Sequence, residues 1–377
     1  MPFPRRIPHK RRTRKNFANK KIFILLVAFS LYLILSLYLI LDRYNKKKDN
    51  TVTDQLPVLS FVSTPEAPTG SSTDERAEDG HEYFVVSHTD PNPVLTKAFE
   101  QRIQKSWQRK SFQEQIKDSK FSCDWTTFNS TTGKTTEFCT HPFRDIVSAR
   151  IRNKHRWYDC DALPKLWNEK SIDENSLYLE IGANIGSCVV EMLLSTNANI
   201  IAFEPHPMNQ FNLMSTLSRM PEEYLKRLVL FPIGLGDQTM KSRIYSGHNN
   251  LGNSNIGTFV KDAESQVAKE EFQFDVYVKR LNDVLDLGNV NVPLLKLDSQ
   301  GFECKILEGM GKNIADKIDS IKFEFARKWL DGQKCEDLLP RLRKYGFQVT
   351  RENGKEVLED NPNYHLAEML ARKTKGI

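Results

Sequence analysis

Glycine is missing where a dinucleotide site would need it. The run Leu177-Tyr178-Leu179-Glu180-Ile181-Gly182-Ala183-Asn184-Ile185-Gly186 is an apolar stretch ending in an acid and a tight Gly-x-x-x-Gly turn. The dinucleotide fingerprint requires glycine at its third and sixth positions. Counted from Gly182, those positions hold Asn184 and Ser187. The third-position glycine lets a pyrophosphate rest on the backbone, and Asn184 closes that approach. NAD is therefore disfavoured.

Other absences narrow the field further. No Cys-x-x-Cys pair occurs among the six cysteines, so a structural zinc site is not expected. No internal repeat is apparent. The net charge of +6 does not describe the body of the chain. Residues 1–48 hold 13 Lys+Arg and a single acid, Asp42, which leaves 41 Lys+Arg against 47 Asp+Glu in residues 49–377. The body is mildly acidic, and a nucleic-acid partner is not expected.

Charge is also absent from Ile22 to Leu41. Twenty uncharged residues form about 30 Å of helix, the thickness of a bilayer core. Nine Lys/Arg precede the span and four follow it. The larger positive flank stays in the cytosol, so the C-terminal part faces the lumen. No small-residue cleavage site follows, since the next residues are Asp42-Arg43-Tyr44-Asn45-Lys46. The reading is an uncleaved signal anchor and a type II membrane protein of the Golgi or ER. The boundaries are a basic tail at 1–21, the anchor at 22–41 and a flexible lumenal stem at 42–93. The stem is rich in Ser, Thr, Pro and acids. A lumenal location permits disulfides. Cys123 and Cys139 flank the sequon Asn129-Ser130-Thr131, which suggests a disulfide-closed surface loop with an N-glycan. Cys188 and Cys304 read as ordinary core residues.

What is present is an alternating pattern. Residues 94–117 carry Leu95, Phe99, Ile103 and Trp107 at four-residue spacing, which predicts a helix with a narrow apolar stripe. Residues 118–140 read as loop. From 141 onward, short apolar runs at 177–181, 200–203, 228–233, 293–297 and 321–325 alternate with helical segments, and 347–350 and 365–371 close the series. This predicts an α/β domain with a doubly wound, mostly parallel, Rossmann-like sheet. The polar stretch 241–275 reads as a long loop near the site. Glu204, after the second strand, is placed to accept hydrogen bonds from two ribose hydroxyls.

Four motifs then stand in order: Glu180-Ile181-Gly182-Ala183-Asn184-Ile185-Gly186; Phe203-Glu204-Pro205-His206-Pro207; Pro232-Ile233-Gly234-Leu235-Gly236-Asp237; and Lys296-Leu297-Asp298-Ser299-Gln300-Gly301-Phe302-Glu303. Together they resemble the FkbM family of methyltransferases over about residues 141–377. The resemblance implies a class I, S-adenosylmethionine-dependent O-methyltransferase. It implies cofactor contacts from Glu180, Gly182, Ala183, Asn184, Gly186, Glu204 and Asp237, with Asp298 and Glu303 beside the reacting centre. Gln300 departs from the family pattern, in which many members carry Glu. Such chemistry asks for alignment, contributing roughly 7–11 kcal/mol, and a proton acceptor, contributing about 10²–10⁴-fold. Asp298 is the first choice for that acceptor and Glu303 the second. Asp298 could equally cap the helix that follows. His206 and His248 are set aside as bases.

The topology points to a hydroxyl-bearing acceptor, most economically a glycan in the secretory pathway. Two other classes fit parts of the sequence. Asp159-Cys160-Asp161 is an acid-x-acid pair of the kind a Golgi glycosyltransferase uses to hold a metal and a nucleotide sugar, but it precedes the nucleotide fold and follows no apolar strand. A non-catalytic cofactor-fold binding protein is the other alternative, and Gln300 is its only support.

Overall fold

The computed structural model describes residues 83–374, apart from 88, 104–106, 118, 248–249, 258–269, 326–337, 352–353 and 358–366. The expected tail, anchor and most of the expected stem lie outside the described residues. Among the described residues, no helix is long and apolar enough to cross a membrane.

The strands are β1 (Tyr83–Val86), β2 (Gln108–Ser111), β3 (Asp124–Asn129), β4 (Thr135–Thr140), β5 (Ser176–Ile181), β6 (Asn199–Phe203), β7 (Leu228–Phe231), β8 (Gly234–Leu235), β9 (Met240–Gly247), β10 (Asn250–Ile256), β11 (Glu270–Lys279), β12 (Asn291–Leu297), β13 (Ser320–Phe325), β14 (Phe347–Arg351) and β15 (Ala367–Lys373). The helices used below are α1 (Pro93–Lys97), α2 (Phe112–Lys117), α3 (Ile146–Lys154), α4 (Leu163–Asn168), α5 (Ser187–Ser195), α6 (Pro207–Leu217) and, after β12, α7 (Glu303–Ala315).

Nine strands form one mixed sheet in the order β14-β15-β13-β12-β5-β6-β7-β1-β2. The middle five, β13-β12-β5-β6-β7, run parallel to one another. β15 runs antiparallel to both β13 and β14, and β1 antiparallel to β7. β5, β6 and β7 are buried at every position. Parallel strands covered on both faces need such continuous apolar runs, which is why they were readable from sequence. The chain winds outward from β5 to β7 and later returns to β12, on the other side of β5. A crevice opens at that reversal, outside the carboxyl ends of the strands, where such folds bind ligands.

Several expectations need correction. The stretch 241–275 is not one long loop. β9, β10 and β11 lie in a second, four-stranded sheet, order β10-β9-β11-β8. In β9, Lys241 and Arg243 are exposed while Ile244 and Ser246 are buried. The period-two signal was masked because half of its inward positions are serine. The expected stem extends too far, because β1 (Tyr-Phe-Val-Val) joins the main sheet with Val85 and Val86 fully buried. Finally, 94–117 is not one helix. α1 is five residues long, and β2 and α2 follow. The apolar stripe nonetheless packs as expected, with Leu95 and Phe99 buried in the core and Ile103 and Trp107 against it. Phe99 and Trp107 both meet Phe231 edge-on, at centroid distances of 5.5 and 5.7 Å.

Residues 118–140 hold a hairpin, β3–β4, in place of the expected loop, and the Cys123–Cys139 disulfide joins it. Asn129 of the sequon stands exposed at the end of β3. Cys188 is not a lone core thiol, because it is bonded to Cys160. Cys304 is also disulfide-bonded.

Candidate active site

The turn after β5 carries three left-handed residues in five: Gly182 (φ 84°), Asn184 (φ 53°) and Gly186 (φ 91°). Backbone N–H groups of Gly182 and Ala183 both donate to the Phe203 carbonyl, at 3.0 Å each. The glycines are required by neighbouring protein atoms. A Cβ on Gly182 would lie 1.8 Å from the carbonyl oxygen of Asp298. Absence of that atom lets the ends of β5 and β12 close together, with Asp298 N–H donating to Ile181 at 3.0 Å. A Cβ on Gly186 would lie 2.2 Å from Leu213 Cδ1, so this glycine admits α6.

Glu204, at the end of β6, lies on the floor of the crevice, 4% exposed. Its Oε2 accepts from Asn184 N–H at 2.7 Å and its Oε1 from His206 N–H at 2.8 Å. Burial pushes its carboxyl up to about 7 against those hydrogen bonds. Ile233 and Leu235, following β7, and Phe302 before α7 form an apolar slot beside it. Leu251, Gly252 and Ile256 of β10 close the crevice from the second sheet.

The other half is charged. Lys296 of β12 is buried, its Nζ 3.3 Å from Glu180 Oε1 and 3.1 Å from Asp298 Oδ2. Burial opposes its charge, yet Asp298 and Glu180 hold its ammonium well above the usual lysine range. Glu180 is fully buried and also accepts from the Tyr178 hydroxyl. Burial pushes it up despite Lys296. Asp298 is a third exposed. Burial pushes it up, but Lys296, Gln300 and Lys322 outweigh that and hold it below the ordinary carboxylate range. Gln300, at φ 54°, donates its amide to Asp298 Oδ1 at 2.6 Å and to Glu324 Oε2 at 3.3 Å. Glu324, near the end of β13, is raised to about 7 by burial first and then by Asp298 and Glu368.

The crevice thus gathers Glu180, Gly182, Ala183, Asn184, Glu204 and Asp298 from the expected set. Gly186, Asp237 and Glu303 do not line it. Glu303 is 3% exposed, and its Oε1 accepts from Ser299 N–H and Ser299 Oγ, both at 3.0 Å. A glutamate reaching back this way serves the start of its own helix. Asp298 makes no such cap: Phe302 stands at the N-cap, with no side-chain hydrogen bond. Asp237 keeps a buried Oδ1 without a hydrogen-bond partner. His206 is fully buried on Ser246 Oγ at 3.0 Å, and burial lowers its pKa to about 3.

Sequence reasoning missed four participants: Trp157, which lines the crevice, and Asp159, Glu324 and Glu368. Glu324 ends the run Ile321-Lys322-Phe323-Glu324, and an acid ending a parallel strand was the available signal. Asp159 was read as half of an acid-x-acid pair. The two acids part company in the fold. Asp161 pairs with Arg156, whereas Asp159 lies within electrostatic range of Glu368, Lys322, Lys296 and Asp298.

Residues 180–349 match the methyltransferase FkbM domain. With methyltransferases among its relatives, the match supports S-adenosylmethionine-dependent methyl transfer, and it spans the Gly turn, Glu204, Lys296, Asp298 and Glu324. Among curated relatives, "Methyltransferase 1" of Beauveria bassiana (strain ARSEF 2860) is 27% identical over 206 residues, covering 50% of this chain and 79% of the relative. "Methyltransferase sdnD" of Sordaria araneosa is 25% identical over 205 residues, covering 48% and 77%. Among solved structures, an S-adenosylmethionine-dependent O-methyltransferase of Thermotoga maritima gives a TM-score of 0.30 at 12% identity, covering 67% of this chain and 78% of that one.

Proposed function

We propose that this FkbM domain transfers a methyl group to a hydroxyl of a glycan in the lumen of the secretory pathway. The observation that carries the reading is the charged wall, Lys296–Asp298–Gln300–Glu324, beside the Gly182–Asn184 turn.

The residues fit the cofactor. Glu204 uses three hydrogen bonds internally, from Asn184 N–H, His206 N–H and Asn209 Nδ2. A carboxylate has about four acceptor sites, so capacity for a ribose hydroxyl remains. Ile233, Leu235 and Phe302 would hold the adenine, and Gly182 to Asn184 with Glu180 would hold the amino-acid end. S-adenosylmethionine supplies, when bound, a methyl already activated by its sulfonium. The protein's task is then orientation and proton acceptance. Asp298 orients: with Oδ2 on Lys296 and Oδ1 on Gln300, its position is set, and it accepts a hydrogen bond from the acceptor hydroxyl. Asp298 takes that proton as the hydroxyl oxygen attacks the methyl carbon, and Glu324, held through Gln300, buttresses it from behind the crevice wall. Glu303 belongs to the helix start.

The lumenal part of the reading is supported by the uncharged span at 22–41 with its heavier basic flank, and by the disulfides, which persist in oxidising compartments. It is supported too by exposed Asn129. Protease treatment of sealed microsomes is expected to spare the C-terminal domain until detergent is added, and an endoglycosidase is expected to shift the mass. Digestion without detergent would reverse the orientation.

Asp298→Asn is expected to lower turnover by about 10²-fold with donor affinity nearly unchanged. Isothermal titration with S-adenosylhomocysteine and single-turnover methyl transfer measure the two separately. Full turnover would remove Asp298 from the reaction. Label on a protein amine or carboxylate would overturn the hydroxyl reading while leaving methyl transfer intact.

A further inference from the structure

Between α3 and α4, a short 3₁₀ turn, Tyr158–Cys160, begins directly after Trp157 of the crevice wall. Its composition is Trp157-Tyr158-Asp159-Cys160. Trp157 lines the crevice. Tyr158 is 55% exposed, which is unusual for so large a ring, and it lies beside Trp157 at 5.1 Å between centroids. The Arg150 guanidinium lies over Tyr158 at 4.5 Å and steadies it. Asp159 is half-buried and within electrostatic range of Asp298, Lys296, Lys322 and Glu368, which lie on or just after β12, β13 and β15.

The turn is fastened to the donor side. Cys160 is fully buried and bonded to Cys188, two residues past Gly186 in the first turn of α5. Cys188 itself borders the crevice. One covalent link therefore couples the cofactor turn to the aromatic turn.

Adjacent aromatic faces beside fixed carboxylates suit one class of ligand. A pyranose ring offers a patch of C–H groups to an aromatic face and hydroxyl donors at its rim to carboxylate oxygens. An apolar ligand would leave the carboxylates unpaired, and an anionic ligand would enter a cluster in which carboxyl groups outnumber the two lysines, Lys296 and Lys322, already paired with Asp298 and Glu368. We propose that the Trp157–Asp159 turn is the acceptor subsite, binding one sugar ring with Trp157 and Tyr158 as its platform and Asp159 as a hydrogen-bond acceptor, and that the Cys160–Cys188 disulfide positions it against the donor. The subsite rests on the glycan reading given above.

The test uses the full chain in detergent, saturated with S-adenosylhomocysteine, on an array of neutral oligosaccharides, followed by methyl-transfer kinetics on the best-bound member. Asp159→Asn is expected to raise the acceptor KM by about tenfold or more, the equivalent of a hydrogen bond to a charged group. Trp157→Ala is expected to raise it about 5–10-fold, and Trp157→Phe to restore most of it. Affinity for S-adenosylhomocysteine should stay within twofold in all three. The paired substitution Cys160→Ser/Cys188→Ser should raise the same KM while single-turnover transfer at saturating acceptor persists. Wild-type acceptor KM in both Asp159→Asn and Trp157→Ala sinks the subsite and leaves the glycan reading standing. A blank array with normal S-adenosylhomocysteine binding sinks both.

Discussion

The two halves of the crevice are built on different principles. The donor half, around β5–β7, is local and nearly saturated. Glu204, Asn184 and His206 satisfy one another within a span of 23 residues, and the slot beside them is apolar. The acceptor half is assembled from four distant stretches, carrying Asp159, Lys296 with Asp298, Lys322 with Glu324, and Glu368. Its charges are only partly compensated: Lys296 and Lys322 face a larger number of carboxylates. Contiguous motifs can build one wall of a crevice by themselves, whereas the other wall draws on whatever side chains the sheet edge brings together.

The sharpest break in that comparison is at the shared boundary. Lys296→Met leaves Glu180 buried without its cation, and removing one member of a buried pair costs about 3–5 kcal/mol. The urea midpoint should fall by that energy divided by the slope, with the slope itself unchanged. An unchanged midpoint would mean that Glu180 is protonated in the fold. Next is Gly182→Ala. Its Cβ would press on the Asp298 carbonyl at 1.8 Å, and φ is +84°. Overpacking of this kind costs about 1–3 kcal/mol and the left-handed backbone a further 1–2 kcal/mol. Loss of S-adenosylhomocysteine binding should accompany the stability loss, since the turn and β12 would separate. Binding retained in a destabilised variant would show that the two halves tolerate displacement.

A purely donor-side change is milder. Glu204→Ala is expected to weaken S-adenosylmethionine binding by about 1.5–3 kcal/mol by calorimetry, the range for hydrogen bonds to a charged group. Equal affinity would place the ribose elsewhere. The smallest effect is a pH difference on the acceptor side. Glu324 is raised from 4.5 to about 7, so the folded state holds its proton more tightly than the unfolded chain does. Its stabilising contribution is present below about 4.5 and is lost as the pH rises through about 7. Glu324→Gln stays neutral. Its melting temperature should therefore gain on the wild type across that window and level off above it. Parallel melting profiles would mean that Glu324 ionises as freely as it does in water.

How much was legible follows the same division. All five central strands were found within about two residues, because burial on both faces imposes an unbroken apolar run. The Gly-x-x-x-Gly turn was found too, although the reason lay elsewhere: Gly182 makes room for Asp298 and Gly186 for Leu213. Glu303 carried a catalytic expectation because it stands five residues from Asp298, but the helix start turns its carboxylate back to Ser299. The second sheet was hidden by serine at inward positions, and β1 by its polar and Pro-rich surroundings.

By itself, the amino-acid sequence determined the α/β alternation, the motif order and the cofactor class, because each depends on short-range periodicity or on a few contiguous residues. Only the tertiary structure decided that Cys188 joins Cys160, that Asp159 parts from Asp161, and that Glu324 meets Asp298 through Gln300. Those pairings depend on which strand ends lie side by side at the reversal between β5 and β12. That order is set by how the sheet buries its two faces as a whole, and no local stretch of sequence encodes it.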